Sequence, residues 1–240
     1  MFVPVDEATT RGFTAASGYI EANTRMSSTE KPLSEAIRDR RDTPSFDGVP
    51  ISDEDLRQIL DAGLQSPSGY NMQPWRFIVV RTPEQKKRLR AACFNQAKVE
   101  EASVMIVACG DADGFRNGDV EEMLRLGREG GISASYAAQA EELIPNFLSN
   151  HPNLEMWLNR HVMIAFTHMM LMAEALGYDT ASIEGFEEEK IRETLKLPLS
   201  YHTVSLLCIG HLEGPDKHYG GRFDMARTVF AEEYGKPIRL

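Results

Sequence analysis

Apolar residues recur every three to four positions over Asp53–Leu64, where Leu56, Ile59, Leu60 and Leu64 form one stripe, and this spacing predicts an amphipathic helix. Ser52 stands at its N-cap with Asp55 three residues on, a weaker form of the capping box. A dense β-branched run follows, and Arg76-Phe77-Ile78-Val79-Val80 predicts a strand over 76–81. Thr82-Pro83 then opens a helix, with Thr82 as N-cap and Pro83 at the first helical position, running out near 94–98. The short apolar run at 103–109 suits a strand buried on both faces. Further on, the pattern predicts a short helix at 121–131, a short strand and turn at 178–186, an acidic helix at 187–197 stopped by Pro198, and an apolar strand at 202–209.

The longest apolar stretch, 153–176, carries Leu154, Trp157, Leu158, Val162, Phe166 and Met169 around most of a helical circumference, with Gly177 as its C-cap. Such a helix is expected to be buried on nearly all sides, in a core or at a subunit interface. Near the start, Pro32 opens the ordered part, and Leu33, Ala36 and Ile37 give a short helical face that Pro44 cannot continue. Residues 1–31 show no sustained period and read as a flexible arm. Residues 132–150, with Tyr136 and Phe147 among mixed polar neighbours, read as a mobile lid or insertion. One domain over 32–240 follows the arm. Helices dominate and the strands do not alternate strictly with them, so the class is α+β.

Charge and composition narrow the partners. The formal net charge is −10, which argues against nucleic acid or an anionic membrane surface. Cys93, Cys109 and Cys208 are far apart and odd in number, so neither a disulfide framework nor a zinc site is indicated. No secretory signal or membrane-length run is visible, and a cytoplasmic location is expected. Asp111 and Asp113 suggest a calcium loop, but Phe115 and Arg116 stand where a ligand and a glycine are needed. The glycines at 127, 130 and 131 lack the preceding strand of a dinucleotide fingerprint. His161 and His168 share a helix face without a third ligand, so they read as core or interface histidines and no metal site is expected.

Candidate chemistry concentrates elsewhere. The loop at 66–75 packs Ser, Pro, Gly, Asn and Gln together, which keeps the backbone non-helical and leaves N–H and amide groups for a ligand, while Trp75 can anchor it. Arg38, Arg40 and Arg41 stand at a helix exit, either as a phosphate clamp or as a solvated charge run.

Four stretches then fall in a recognisable order: Arg40-Arg41-Asp42, the loop from Pro67 to Trp75, Phe94-Asn95-Gln96-Ala97-Lys98 and Ser182-Ile183-Glu184-Gly185-Phe186. With them the chain resembles the FMN-dependent nitroreductase family over about 32–222. The resemblance implies a mainly antiparallel sheet wrapped by helices, in an intertwined homodimer with two FMN sites at the interface. Arg40, Arg41 and Arg222 would hold the FMN phosphate, and Asn95 and Lys98 would face the pyrimidine end of the ring. Backbone N–H groups of Glu184 and Gly185 would lie near N5 and O4, with Ser182 against the ring. Pro67, Ser68 and Asn71 of the partner subunit would complete the site. Substrate contacts are expected from Tyr70 and Met72 of the partner subunit and from Tyr136 and Phe147.

The implied reaction is hydride transfer from NADH or NADPH to flavin N5, then onward to an electron-poor acceptor such as a nitroaromatic or quinone, by a ping-pong cycle. No side chain is required as nucleophile. Alternatives on the same scaffold are a flavin-destructase or dehalogenase reaction, and a non-catalytic flavin-storage protein. Three departures stand out. Asp42 replaces the usual Ser, Pro44 replaces a basic residue, and Gly220 and Gly221 precede Arg222. Asp42 is expected to contact a ribityl hydroxyl or the ring imide, and FMN affinity is expected to be weaker than is typical of the family.

Overall fold

The computed structural model describes residues 30–215 and 219–240, so the arm expected at 1–31 lies almost wholly outside the described residues. Lys31–Leu240 makes one unit. Its centre, among the described residues, is a four-stranded sheet of β1 (Trp75–Val80), β2 (Val104–Asp111), β3 (Asp179–Ile183) and β4 (Tyr201–Gly210). The order is β1-β2-β4-β3 and every neighbouring pair is antiparallel.

The unbroken apolar run of β2 has a simple cause. Val104, Ile106 and Ala108 face one core, and Met105, Val107 and Cys109 face another, as the two-residue period of a strand requires. The first core is closed by α2 (Asp53–Leu64) and α7 (Leu154–Ala175), the second by α3 (Pro83–Ala92) and α8 (Glu188–Leu195). Both central strands are therefore covered twice, and their apolar side chains divide between the two cores, while the polar positions of β4 fall in its first half, at 201–205.

Local signals set the helix ends. The Ser52 hydroxyl accepts the Asp55 N–H at 3.0 Å and donates to Asp55 Oδ2 at 2.7 Å, so the box closes side chain to side chain. Pro83 takes the first helical position of α3, but Thr82 makes no side-chain cap. Where α2 crosses α7, a Cβ on Gly63 would come within 2.7 Å of Met169 Cγ, so any larger residue there would push the Met169 side chain aside.

Two apolar helices are only partly buried within one chain. In α1 (Leu33–Asp39) only Ala36 is buried, while Leu33 and Ile37 are exposed, because one side of this short helix meets α7 and the other faces outward. In α7 the stripe of Met156 and Ile164 is exposed, so the helix is not buried all round within a single chain. The segment read as a lid, 132–150, takes the form of a regular helix, α6 (Ala134–Ser149), with α4 (Lys98–Glu101) and α5 (Asp119–Glu129) preceding it. Ser133 caps α6 by accepting the Tyr136 N–H, and Ala137, Ala140, Ile144 and Leu148 pack on α5 and on Trp157 of α7 in a third core. After β4 comes a largely exposed tail with one short helix, α9 (Met225–Thr228). No helix of the described residues is long and apolar enough to cross a membrane.

Candidate functional site at the two sheet edges

Beyond α1 the chain runs extended beside β3, with a bridge between Asp42 and Thr180 and the Thr43 N–H donating to the Thr180 carbonyl at 2.9 Å. This places Asp42 between two other predicted stretches. Its Oδ1 accepts the Ser182 N–H at 2.9 Å, and its Oδ2 meets Lys98 Nζ at 2.9 Å. In the single chain the Asp42 carboxylate is therefore engaged by Lys98 and by the Ser182 N–H. Lys98 opens α4 with a side chain only 14% exposed.

Between α3 and α4 the backbone reverses through Phe94 and Asn95, with φ of 51° and 58°. Asparagine tolerates that left-handed region, whereas phenylalanine enters it only when its surroundings impose it. Gln96 Nε2 donates to the carbonyls of Gly185 and Cys93, both at 3.1 Å, and so ties this reversal to the turn after β3. The N–H groups of Glu184 and Gly185 meet no acceptor among the described residues.

The cations gather at the same edge. Arg41 Nη1 donates to the carbonyls of Arg38 and Arg40, and its guanidinium lies 4.2 Å from the centre of the Tyr219 ring. Arg222 lies 5.3 Å from the same ring. Tyr219 thus brings together two arginines that are far apart in sequence. Nothing in the sequence pattern singled out Tyr219, and Gln96 stood in the recognised 94–98 stretch without a role of its own. Arg40, at the C-cap of α1, stands beside Arg41.

The loop at 66–75 belongs to the opposite edge, leading into β1. Ser68 Oγ accepts the Gln73 N–H at 2.9 Å, and Tyr70, Asn71 and Gln73 have φ of 57°, 57° and 47°. Ser66 Oγ pairs with His168 Nδ1 at 2.7 Å. His161 Nδ1 lies 2.7 Å from the Trp157 carbonyl, which can only accept, so the proton sits on Nδ1. Burial pulls the His161 pKa down and keeps the ring neutral. Arg76 Nη2 reaches Asp119 at 2.9 and 2.7 Å and Asp111 at 3.2 Å, and its Nη1 holds the Trp75 carbonyl at 3.0 Å. Burial works against the Arg76 charge, but the Asp119 hydrogen bond and the two carboxylates outweigh it and raise its pKa.

Among the expected substrate contacts, Tyr70 meets Phe147 edge to face at 5.6 Å, and Phe147 meets His151 at 5.3 Å. Tyr136 is exposed on α6 without a ring partner among the described residues. Met72, expected to reach substrate from the partner subunit, is 3% exposed in the single chain and packs into the third core. It also walls one end of a cleft of about 560 Å³ that runs along β1 past Leu60, Trp75 and Phe77.

The predicted residues therefore form two groups. Arg40, Arg41, Asp42, Asn95, Lys98, Ser182, Glu184, Gly185 and Arg222 belong to the β3 edge. Pro67, Ser68, Tyr70 and Asn71 belong to the β1 edge. With β2 and β4 between them, the edges are roughly 14 Å apart. Burial raises the pKa of all three cysteines, Cys93 to about 12 and Cys109 to about 11, which disfavours their reactive thiolate forms. No cluster of the described residues could hold a metal ion.

Among the described residues, the β3 edge thus brings cations and open N–H donors together, a set suited to an anionic organic ligand. The nitroreductase family model matches residues 37–211, and the chain belongs to that family. It is 31% identical over 200 residues to a NADH dehydrogenase of Thermus thermophilus, covering 79% of this chain and 91% of the relative. The structure is similar to the FMN complex of a protein from Exiguobacterium sibiricum, with a TM-score of 0.76, 28% identity and coverage of 86% of this chain and 100% of that one. It is also similar to CLA-ER, an enone reductase of gut-bacterial fatty acid saturation, with a TM-score of 0.75, 25% identity and coverage of 85% and 100%.

Proposed function

We propose that the chain is an FMN-dependent oxidoreductase that takes hydride from NADH or NADPH and delivers it to an electron-poor acceptor, such as a nitroaromatic or a quinone. The observation that carries this reading is the meeting of Arg41 and Arg222 on Tyr219 at the edge where Lys98 and the Glu184 and Gly185 N–H groups also lie. That set fits FMN. Arg40, Arg41 and Arg222 suit a phosphate, which takes forked cationic donors. Asn95 and Lys98 suit the pyrimidine end, the free N–H groups suit ring acceptors, and Ser182 is held in place by Asp42. Bound FMN would accept and donate hydride at N5. The protein supplies position and charge. The Arg41 guanidinium is pre-ordered by two carbonyls and one ring, so less side-chain entropy is lost on binding.

The enzyme works, in this reading, as an intertwined homodimer. Pro67, Ser68 and Asn71 of the partner subunit would complete each site, since one chain holds its two groups on opposite sheet edges. Three open apolar features support this pairing. They are the α7 stripe of Met156 and Ile164, the cleft along β1, and the tail with Phe223, Met225 and Tyr234 exposed. The Tyr70–Phe147 pair would form an aromatic wall for a planar acceptor. Three free, buried cysteines suit the reducing cytoplasm.

The test is spectroscopic. Protein reconstituted with FMN and freed of excess is mixed with NADH or NADPH without oxygen. The flavin colour is expected to bleach and to return on adding a nitroaromatic or a quinone. A protein that binds no FMN, or whose flavin keeps its colour with both nucleotides, overturns the reading, and the second result favours storage.

A further inference from the structure

We propose that Asp42 sets the redox balance of this site: by pairing with Lys98 it offsets the cation that favours negative charge at the pyrimidine end, and so makes the bound flavin a stronger hydride donor. The inference rests on the FMN reading above.

The geometry is specific. Each carboxylate oxygen of Asp42 has its own partner, Oδ1 the Ser182 N–H and Oδ2 the Lys98 ammonium, both at 2.9 Å. The backbone bridge to Thr180 fixes the residue from the other side. Asp42 is thus anchored to β3 and does not follow Lys98 at random. With the Lys98 side chain only 14% exposed, water screens its charge weakly, and a carboxylate at contact distance changes the local potential more than it would on a surface.

The consequence follows from charge balance. When hydride leaves a reduced nicotinamide, its C4–H bond breaks, an N5–H bond forms, and the ring system gains one negative charge. An unpaired ammonium nearby would stabilise that added charge and hold the hydride. Lys98 paired with Asp42 presents little net charge, so the reduced state is less favoured and onward transfer to the acceptor is more favourable.

Asp42→Asn separates this role from a structural one, because the amide oxygen can still accept the Ser182 N–H while the charge is gone. Asp42→Ser provides a second neutral variant should the first fail to fold. FMN binding is measured by titration, and the reduction equilibrium of the bound flavin is measured against a reference dye. Both variants are expected to bind FMN at least as tightly as the parent and to shift the equilibrium toward reduced flavin by about tenfold, about 30 mV for a two-electron couple. Lys98→Gln is expected to shift it the other way. Unchanged equilibrium in the neutral variants, with FMN bound, overturns the inference and leaves the functional reading intact. Failure of the parent protein to bind FMN overturns both.

Discussion

His161 shows how one residue couples the loop at 66–75 to solution conditions. Its ring lies 4.2 Å from that of Trp157, donates to the Trp157 carbonyl, and brings Nε2 within 3.1 Å of where a Cβ on Gly69 would stand. Burial lowers its pKa from the ordinary 6.5. The unfolded chain therefore takes up a proton near pH 6.5 that the folded chain refuses. Stability from this group is complete above that pH and is lost as pH falls through the folded value. Urea unfolding between pH 7 and pH 5 should show a falling midpoint in the parent and a flatter dependence in His161→Gln, whatever its absolute stability. Equal slopes would show that His161 is not the titrating group. Other residues at this scale were hidden from sequence. The burial of Met72 was one such case, since the reversal at Tyr70 and Asn71 turns it into the core. Tyr219 stands in a Gly-rich tail, where no pattern announces that two distant arginines will share its ring.

Arg76 does for the elements what His161 does for the loop. It joins the start of β1 to Asp119 at the head of α5 and to Asp111 at the end of β2, in a site so close that a Cβ on Gly114 would fall 2.1 Å from Asp119 Oδ2. Arg76→Met leaves two carboxylates without their cation, and a loss of about 2–3 kcal/mol is expected, below the usual range for a fully buried pair because water still reaches these groups. Adding Asp119→Leu should recover part of the loss in urea unfolding; strictly additive losses would contradict the coupling. Elements with a strong period were legible in the sequence. Leu56, Ile59 and Leu60 defined α2, and the alternation hidden in the β2 run was implied by its continuous apolarity. The α6 helix was not legible as a helix. Its inner face is built partly from Ala137 and Ala140, which carry little hydrophobic signal, and Pro145, a helix breaker in sequence, sits inside the unbroken helix.

For the whole molecule, the membership of the family and the β3-edge group were legible because four short stretches kept their order. The pairing of Asp42 with Lys98 was not, since the sequence marks a departure without saying where the new side chain points. In the proposed dimer each FMN site is shared between two copies, because one chain keeps the arginines proposed for the phosphate and its Ser68–Asn71 loop on opposite sheet edges. Subunit mixing tests it most directly. One chain carries Arg41→Glu with Arg222→Glu, the other carries Asn71→Trp, and the differently tagged chains are co-expressed and purified as mixed dimers. Neither homodimer should retain FMN, while the mixed dimer should hold one FMN per dimer, since one of its two sites draws only on intact groups. A loop variant that binds FMN as well as the parent, or a mixed dimer that binds none, would contradict a shared site.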